Sequence, residues 1–318
     1  MATIFQTKEW EEFKLKTGYE KSWRVFDLLV LQRKIPLLGS MLYTPMVSRD
    51  QTKLATQKIF LDQIKKIAKE SKSIFYRLES TEENPSDINL KDSKYIKAFE
   101  EMQPEHTLLL DISKTEEEIL SQMKQKGRYN IKVAEKHNIR VTEGKVEDFY
   151  KLYKEMARRQ KITFRNLNYF QNLVDILGKK DYIKVFVASA VEATDSEGAE
   201  SQLPASASQT KILASAIVIF YQNKAIYLYG GSSQELKGYM APYKLHFEII
   251  KEAKRRDCKT YDFFGIAPND DPKHPWAGIS RFKRQFGGED FASLGSWDLI
   301  LSPIKYKLFK LAEKIRRK

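Results

Sequence analysis

The sequence predicts a mixed α/β protein built as two successive units of comparable size. Three observations carry this. Its 318 residues exceed one minimal domain and suit two ordinary ones. Runs rich in β-branched and aromatic residues alternate with segments of helical periodicity along most of the chain. Late in the chain, a strand at 225–229, a helix at 242–256 and a strand at 260–264 follow in the order a crossover connection requires.

The elements read as follows. A polar helix at 9–16 precedes strands at 23–30 and 41–45. A helix at 50–69 sets Leu54, Ile59, Phe60, Ile64 and Ile67 at helical spacing, and a buried strand follows at 73–78. Residues 82–95 are polar and carry Pro85, so they read as a loop before a strand at 106–112. Thr115 with Glu118 three residues on is a capping-box signal, and Ile119, Met123, Ile131 and Ala134 then mark a basic helical stretch reaching His137. Helices at 146–159 and 167–177 lead to strands at 183–190 and 212–221. Between those strands, residues 192–209 are rich in Ser, Ala, Gly and acid, and read as a solvated insertion. The tail opens on Ser302 as N-cap and Pro303 in the first helical position. Ile304, Leu308, Leu311, Ala312 and Ile315 form its expected docking face, and lysines and arginines cover the rest.

Composition narrows the function. The net charge of +13 favours an anionic partner, whether nucleic acid, phosphorylated metabolite or anionic lipid; a merely solvated basic surface is the alternative. No apolar run approaches the ~20 residues of a spanning helix, and the first residues lack the apolar stretch of a signal peptide, so a cytoplasmic location is expected. A single cysteine, Cys258, reads as a buried or idle thiol, and four scattered histidines offer no metal-ligand spacing. The glycines of the usual nucleotide-phosphate cradles, G-x-x-x-x-G-K-S/T and G-x-G-x-x-G, are missing, which argues against a kinase or a dinucleotide oxidoreductase. The strand 225–229 with its Gly-rich exit and following helix is similar to the place where GNAT acetyltransferases bind the coenzyme A pyrophosphate, a segment written Q/R-x-x-G-x-G/A. Here Gln234 is followed at plus three by Lys237, which points to a GNAT-like fold that does not use coenzyme A.

Four segments carry a closer resemblance: MAPYKLHFEIIKEAKRRDCKTYDFFGIAP, HPWAGISRFKRQFGG, LLLDISKTEEEILSQMKQKGRYNIKVAEKHNIRV and the amino-terminal FQTKEWEEFK. Together they resemble the FemABX family of aminoacyl-tRNA-dependent transferases, which build peptidoglycan interpeptide bridges. The resemblance implies two GNAT-like domains, each a mixed central sheet flanked by helices: residues 1–105 plus a returning segment 296–318, and residues 106–295. It implies transfer of an amino acid from aminoacyl-tRNA, a co-substrate with no cofactor or metal beside it, to an amine of a precursor stem peptide, UDP-MurNAc-pentapeptide or lipid II. A monomer with peripheral contact to anionic membrane is expected. Nothing here resembles the coiled-coil arm of FemA-type members, so the chain looks FemX-like.

Matched residue by residue, the family's substrate-binding groups fall on Lys14, Arg165, Tyr169 and Tyr229. Arg165 and Tyr169 lie four residues apart, as on one helix face, and an arginine fork suits a diphosphate. The acceptor amine must lose a proton before it attacks the ester, and the family's suggested base aligns with Glu79; an ordinary exposed glutamate is the alternative. The lysine credited with stabilising the oxyanion matches Lys283. Basic residues from Lys124 to Lys136 could meet the tRNA acceptor stem. Two other readings stay open: a GNAT-like acyltransferase using another thioester donor, and a non-catalytic protein binding RNA or membrane.

Overall fold

The computed structural model describes residues 2–83, 90–160, 163–191 and 210–316. The expected insertion at 192–209 and much of the expected loop at 82–95 therefore lie outside the described residues. The chain divides into two compact units: Met1–Thr107 with Ala267–Asn269 and Asp290–Lys318, and Leu108–Ile266 with Asp270–Glu289.

In the first unit, α1 (Lys8–Lys16) is capped by Thr7, whose side chain accepts from the Trp10 amide at 3.2 Å. β1 (Lys21–Val25), β2 (Leu28–Ile35) and β3 (Gly39–Val47) pair antiparallel in succession. The strand expected at 23–30 is thus two arms of a hairpin. Phe26 and Asp27 turn it with φ of 48° and 67°; Asp27 is a weak turn signal, and a bulky Phe beside it in the left-handed region masks the turn in sequence. The helix expected at 50–69 is likewise two, α2 (Arg49–Thr56) and α3 (Lys58–Glu70), parted where Gln57 adopts ψ of 143°. Both lie on the crossover from β3 to its parallel neighbour β4 (Ser73–Ser80), which is buried throughout. β13 (Gly295–Ile300) returns from the end of the chain between β4 and the short β5 (Tyr95–Lys97), antiparallel to both, giving the order β1-β2-β3-β4-β13-β5. Leu28, Leu42, Phe60, Ile64, Tyr76 and Leu78 fill its core.

The last helix, α10 (Pro303–Arg316), starts as expected but docks otherwise. Tyr306 and Phe309 are its buried residues, each with its ring 5.2 Å from that of Phe75 on β4. Tyr306 also donates to Asp298 at 2.7 Å. The face assigned to docking from its aliphatic spacing is instead exposed: Ile304, Leu308, Leu311 and Ile315 all lie in water. Aromatic bulk and one buried hydrogen bond decide the orientation over aliphatic count.

β6 (His106–Asp111) leads the chain into the second unit. α4 (Glu116–Gln122) follows, and its capping box forms as expected, with the Glu118 amide donating to Thr115 at 3.2 Å and the Thr115 amide to Glu118 at 2.8 Å. α5 (Gln125–Lys136) is separate from α4, and β7 (Arg140–Glu143) is a short, largely exposed strand that periodicity did not reveal. Then come α6 (Val146–Arg159), α7 (Leu167–Gly178), β8 (Ile183–Val191), β9 (Thr210–Tyr221), β10 (Lys224–Ser232), α8 (Ala241–Arg255), β11 (Thr260–Gly265), α9 (Ala277–Lys283) and β12 (Glu289–Ala292). The sheet order is β12-β6-β11-β10-β9-β8-β7. β7 to β10 form an antiparallel meander, and α8 carries the chain over to β11, parallel to β10. The first unit uses the same plan, an antiparallel meander and a helical crossover into a parallel strand. Both units are GNAT-like mixed α/β layers.

Candidate active site

β10 and β11 pair in register only at Lys224↔Thr260, Ala225↔Tyr261 and Ile226↔Asp262. Beyond that point they run on without a parallel ladder, and Lys283 occupies the end of β11. Its ammonium donates to the carbonyls of Gly265 at 2.6 Å and Phe264 at 3.4 Å, and sits 5.5 Å from the Tyr227 ring on β10. Phe264 takes the left-handed φ of 58°, held there because its amide donates to Asp262 at 2.8 Å. Aromatic packing fixes α9 and the 3-10 turn after it (Arg284–Phe286) behind the lysine: Phe282 meets Tyr243 at 4.9 Å and Phe286 meets Phe263 at 5.2 Å. Gly287 makes the exit from this helix at φ +80°, where a β-carbon would lie 2.5 Å from the Gln122 carbonyl.

Lys283 is buried, and among the described residues no carboxylate lies within ion-pair distance of it. Burial lowers its pKa to about 7, only partly opposed by the charge of Asp262. Neighbouring His246 is held neutral, pushed down to about 3 by burial and by Lys283, and shares a 2.9 Å hydrogen bond with the Tyr261 hydroxyl. A lysine poised near neutrality at the open end of a parallel strand pair can present positive charge to a forming anion.

A second cluster lies on the other face of the same sheet. Two residues of β10 oppose one of β9 between Tyr227 and Tyr229, a bulge that sends these side chains to opposite faces. Tyr227 meets His246 of α8 at 4.5 Å, whereas Tyr229 meets Phe170 of α7 at 5.1 Å and Tyr153 of α6 at 6.3 Å. The two glycines that follow have separate reasons: a β-carbon on Gly230 would strike the Tyr227 hydroxyl, and one on Gly231 would lie 2.7 Å from the backbone of α6.

Tyr229 and Tyr169 are joined hydroxyl to hydroxyl at 3.1 Å, and burial raises the pKa of each, so both are neutral at pH 7. Arg165 stands where sequence spacing did not put it. It precedes α7 altogether, before the N-cap Asn166, whose side chain accepts from the Tyr169 amide at 3.0 Å. The shared helix face is therefore replaced by a stack, with the exposed guanidinium 4.8 Å over the Tyr169 ring. Among the described residues Arg165 has no carboxylate partner, and the first turn of α7 holds no acid. A free guanidinium beside a helix N-terminus favours an anion.

The other two expected residues belong to the first unit. Lys14 is buried on α1, its ammonium 5.1 Å from the Tyr19 ring, 5.3 Å from Trp10 and 5.6 Å from Phe13. The W-x-x-x-K spacing thus builds a cation–π enclosure on one helix face. Glu79 is not an exposed glutamate but a fully buried one on β4. It accepts from Ser296 on β13 at 2.9 Å, from the amides of Met102 at 2.9 Å and Gln103 at 2.8 Å, and from the Tyr43 hydroxyl. Burial raises its pKa, which these bonds oppose. With both oxygens engaged it fastens the 102–103 turn to the sheet, and this geometry does not favour the role of base.

Sequence reading also missed Asp262, Tyr227 and His246, the residues that set the surroundings of Lys283. The pattern Y-x-Y before two glycines was the available signal, but only the bulge reveals that its two tyrosines serve different faces. At the head of α8, Pro242 lacks an amide and Tyr239 is stacked on His137 at 3.9 Å. This adds to Lys237 as a reason the segment makes a poor pyrophosphate cradle.

Both units share one mixed α/β plan, and the buried lysine stands at a strand end of the second. A family model described as the FemAB family matches residues 95–195 and 187–314. The chain belongs to the FemAB family and is an aminoacyltransferase by class. Among curated relatives, the lipid II:glycine glycyltransferase of Staphylococcus haemolyticus is 25% identical over 96% of this chain and 90% of its own length. That of Staphylococcus aureus is 22% identical over 99% and 95%. The alignment with the first spans 379 positions against 318 residues here, so that relative carries insertions this chain lacks. The crystal structure of FemX superposes with a TM-score of 0.79 at 21% identity, covering 96% of this chain and 94% of that one. No helix among the described residues is long and apolar enough to cross a membrane.

Proposed function

We propose that this protein transfers an amino acid from aminoacyl-tRNA to an amine of a peptidoglycan precursor stem peptide, in the cytoplasm, during interpeptide bridge synthesis. The acceptor ammonium first releases one proton to solvent; its nitrogen then attacks the ester carbonyl, the carbon–oxygen ester bond breaks as the amide forms, and the second proton lost by the nitrogen goes to the departing oxygen, which leaves as the terminal tRNA hydroxyl. Lys283 carries this reading. It is a buried cation whose hydrogen-bond acceptors among the described residues are two carbonyls, with a pKa of about 7, and negative charge appearing on the ester oxygen would draw its proton back into place.

Arg165, Tyr169 and Tyr229 are proposed to hold the precursor, the guanidinium on its phosphates and the neutral hydroxyl pair beside them. The relatives act on lipid II by name, which supports a precursor of that kind as acceptor. Lys14 is proposed as an accessory to phosphate binding, reached only if its aromatic enclosure admits the ligand. On α5, Lys124, Lys126, Lys132 and Lys136 are exposed while Ile131 and Ala134 face the core, a distribution that suits a tRNA backbone.

The test is transfer of labelled amino acid from a panel of charged tRNAs to UDP-MurNAc-pentapeptide and to lipid II, with and without ribonuclease. Transfer abolished by ribonuclease is expected. Transfer that survives it, or that requires an acyl thioester, overturns the donor assignment.

A further inference from the structure

The outer face of α10 carries Ile304, Leu308, Leu311 and Ile315 at 75%, 49%, 56% and 65% exposure. Their spacing of four, three and four residues draws one continuous aliphatic line along the helix. The helix does not need this line to stay in place, because Tyr306 and Phe309 already anchor it on the opposite side. Lys305, Lys307, Lys310, Lys314 and Arg316, all exposed, flank the line, against the single carboxylate of Glu313, which Arg316 engages. A second apolar point lies at the same end of the sheet as the start of α10. Leu37, at the tip of the β2–β3 turn, is wholly exposed, with exposed Arg33, Lys34 and Lys72 close by in the chain or the sheet. Ser40 pairs with Ser73 there, and the next residue's carbonyl, that of Ile74, accepts from the amides of Leu301 and Ser302 at 3.0 and 2.9 Å.

We propose that this face of the first unit docks on an anionic lipid bilayer, with the aliphatic line of α10 sunk to the acyl boundary and the flanking cations on lipid headgroups. The combination selects the occupant. A second copy of the chain would cover the aliphatic residues only by bringing five exposed cations of one helix against five of the other. A nucleic acid would satisfy the cations and leave the aliphatics in water. An anionic bilayer satisfies both at once, in the manner of helices that lie in the interface plane. The inference rests on this surface and not on the choice of donor or acceptor proposed above.

The experiment is sedimentation of the full chain with vesicles of phosphatidylcholine containing a third phosphatidylglycerol, and with vesicles of phosphatidylcholine alone. Binding is expected to be about tenfold or more stronger to the anionic vesicles. The exposed-face variant Leu308→Ser with Leu311→Ser is expected to lose about tenfold of that binding, with unchanged circular dichroism and Tm because neither side chain is buried. Lys305→Gln with Lys307→Gln and Lys314→Gln should flatten the dependence on anionic lipid. Undiminished binding of the double serine variant overturns the proposal, as does equal binding to both vesicles. So does light scattering that shows a dimer abolished by the same double substitution, since the face would then be self-associating. A change in transferase specificity leaves these readouts untouched, so failure here and failure of the proposed activity are distinguishable.

Discussion

Arg77 of the first unit and Lys283 of the second, both buried cations, are treated in opposite ways. Arg77 on β4 is wholly enclosed, but its guanidinium forms a two-pronged pair with Asp298 at 2.7 and 2.8 Å, and Glu100 stands at 3.4 Å. These partners raise its pKa against the cost of burial. Lys283 is almost as deeply buried and has two carbonyls instead of carboxylates, so burial wins and its pKa falls to about 7. A neutralised buried charge is architecture, locking the returning strand β13 to β4. A buried charge left without an anion is costly to the fold and available to a reaction that makes one.

The comparison breaks most severely at Asp298. Asp298→Ala strands a buried guanidinium and is expected to cost about 3 to 5 kcal/mol of stability, read as a lower urea midpoint. Loss within ~1 kcal/mol would mean that Glu100 alone suffices.

Lys283→Met should do the reverse. We expect native-like stability, since an unpaired buried amine is replaced by an apolar chain of similar length, together with a fall in single-turnover rate of about 10² or more, roughly 3 kcal/mol, at unchanged affinity for both substrates. A variant with wild-type turnover and weaker tRNA binding would sink the catalytic assignment.

Arg165→Ala extends the contrast to an exposed cation that also lacks a carboxylate partner among the described residues. If Arg165 holds the precursor's phosphates as proposed, the substitution should raise the acceptor KM by the equivalent of about 1.5 to 3 kcal/mol while sparing use of aminoacyl-tRNA. An unchanged acceptor KM would refute the placement.

The smallest effect is in pH. With its pKa lowered from the usual lysine range, Lys283 is charged below about 7 and neutral above it. The ratio of wild-type to Lys283→Met rate, in which the acceptor's own titration cancels, should therefore be full at low pH and down by about half near pH 7, falling further above it. A ratio that rises with pH would make Lys283 a base.

The helices and strands that the sequence disclosed are those with strong local signals: the Thr115 capping box, the amphipathic 146–159 helix, the strand–helix–strand order around α8. The turn at Phe26–Asp27 and the break at Gln57 escaped because a lone Asp beside a bulky Phe is a weak turn signal and Gln57 carries none, and backbone geometry there is imposed by sheet pairing and core packing. The site shows the same division. Lys283, Arg165, Tyr169 and Tyr229 were legible through the resemblance, and Arg165 with Tyr169 through spacing also, yet spacing chose the wrong geometry for that pair. It gave no hint that Glu79 is enclosed by four donors.

By itself the sequence determined residue chemistry and local periodicity: a basic α/β chain in two similar parts, a family's motifs in order, and an amphipathic tail. Which face of that tail is buried was decided only by tertiary structure, where two aromatics and the Asp298 carboxylate outweighed four aliphatics. The state of Lys283 was decided there too. A pKa depends on what surrounds a group in space, and the residues that surround this one come from β10, β11 and α8, brought together only when the sheet forms.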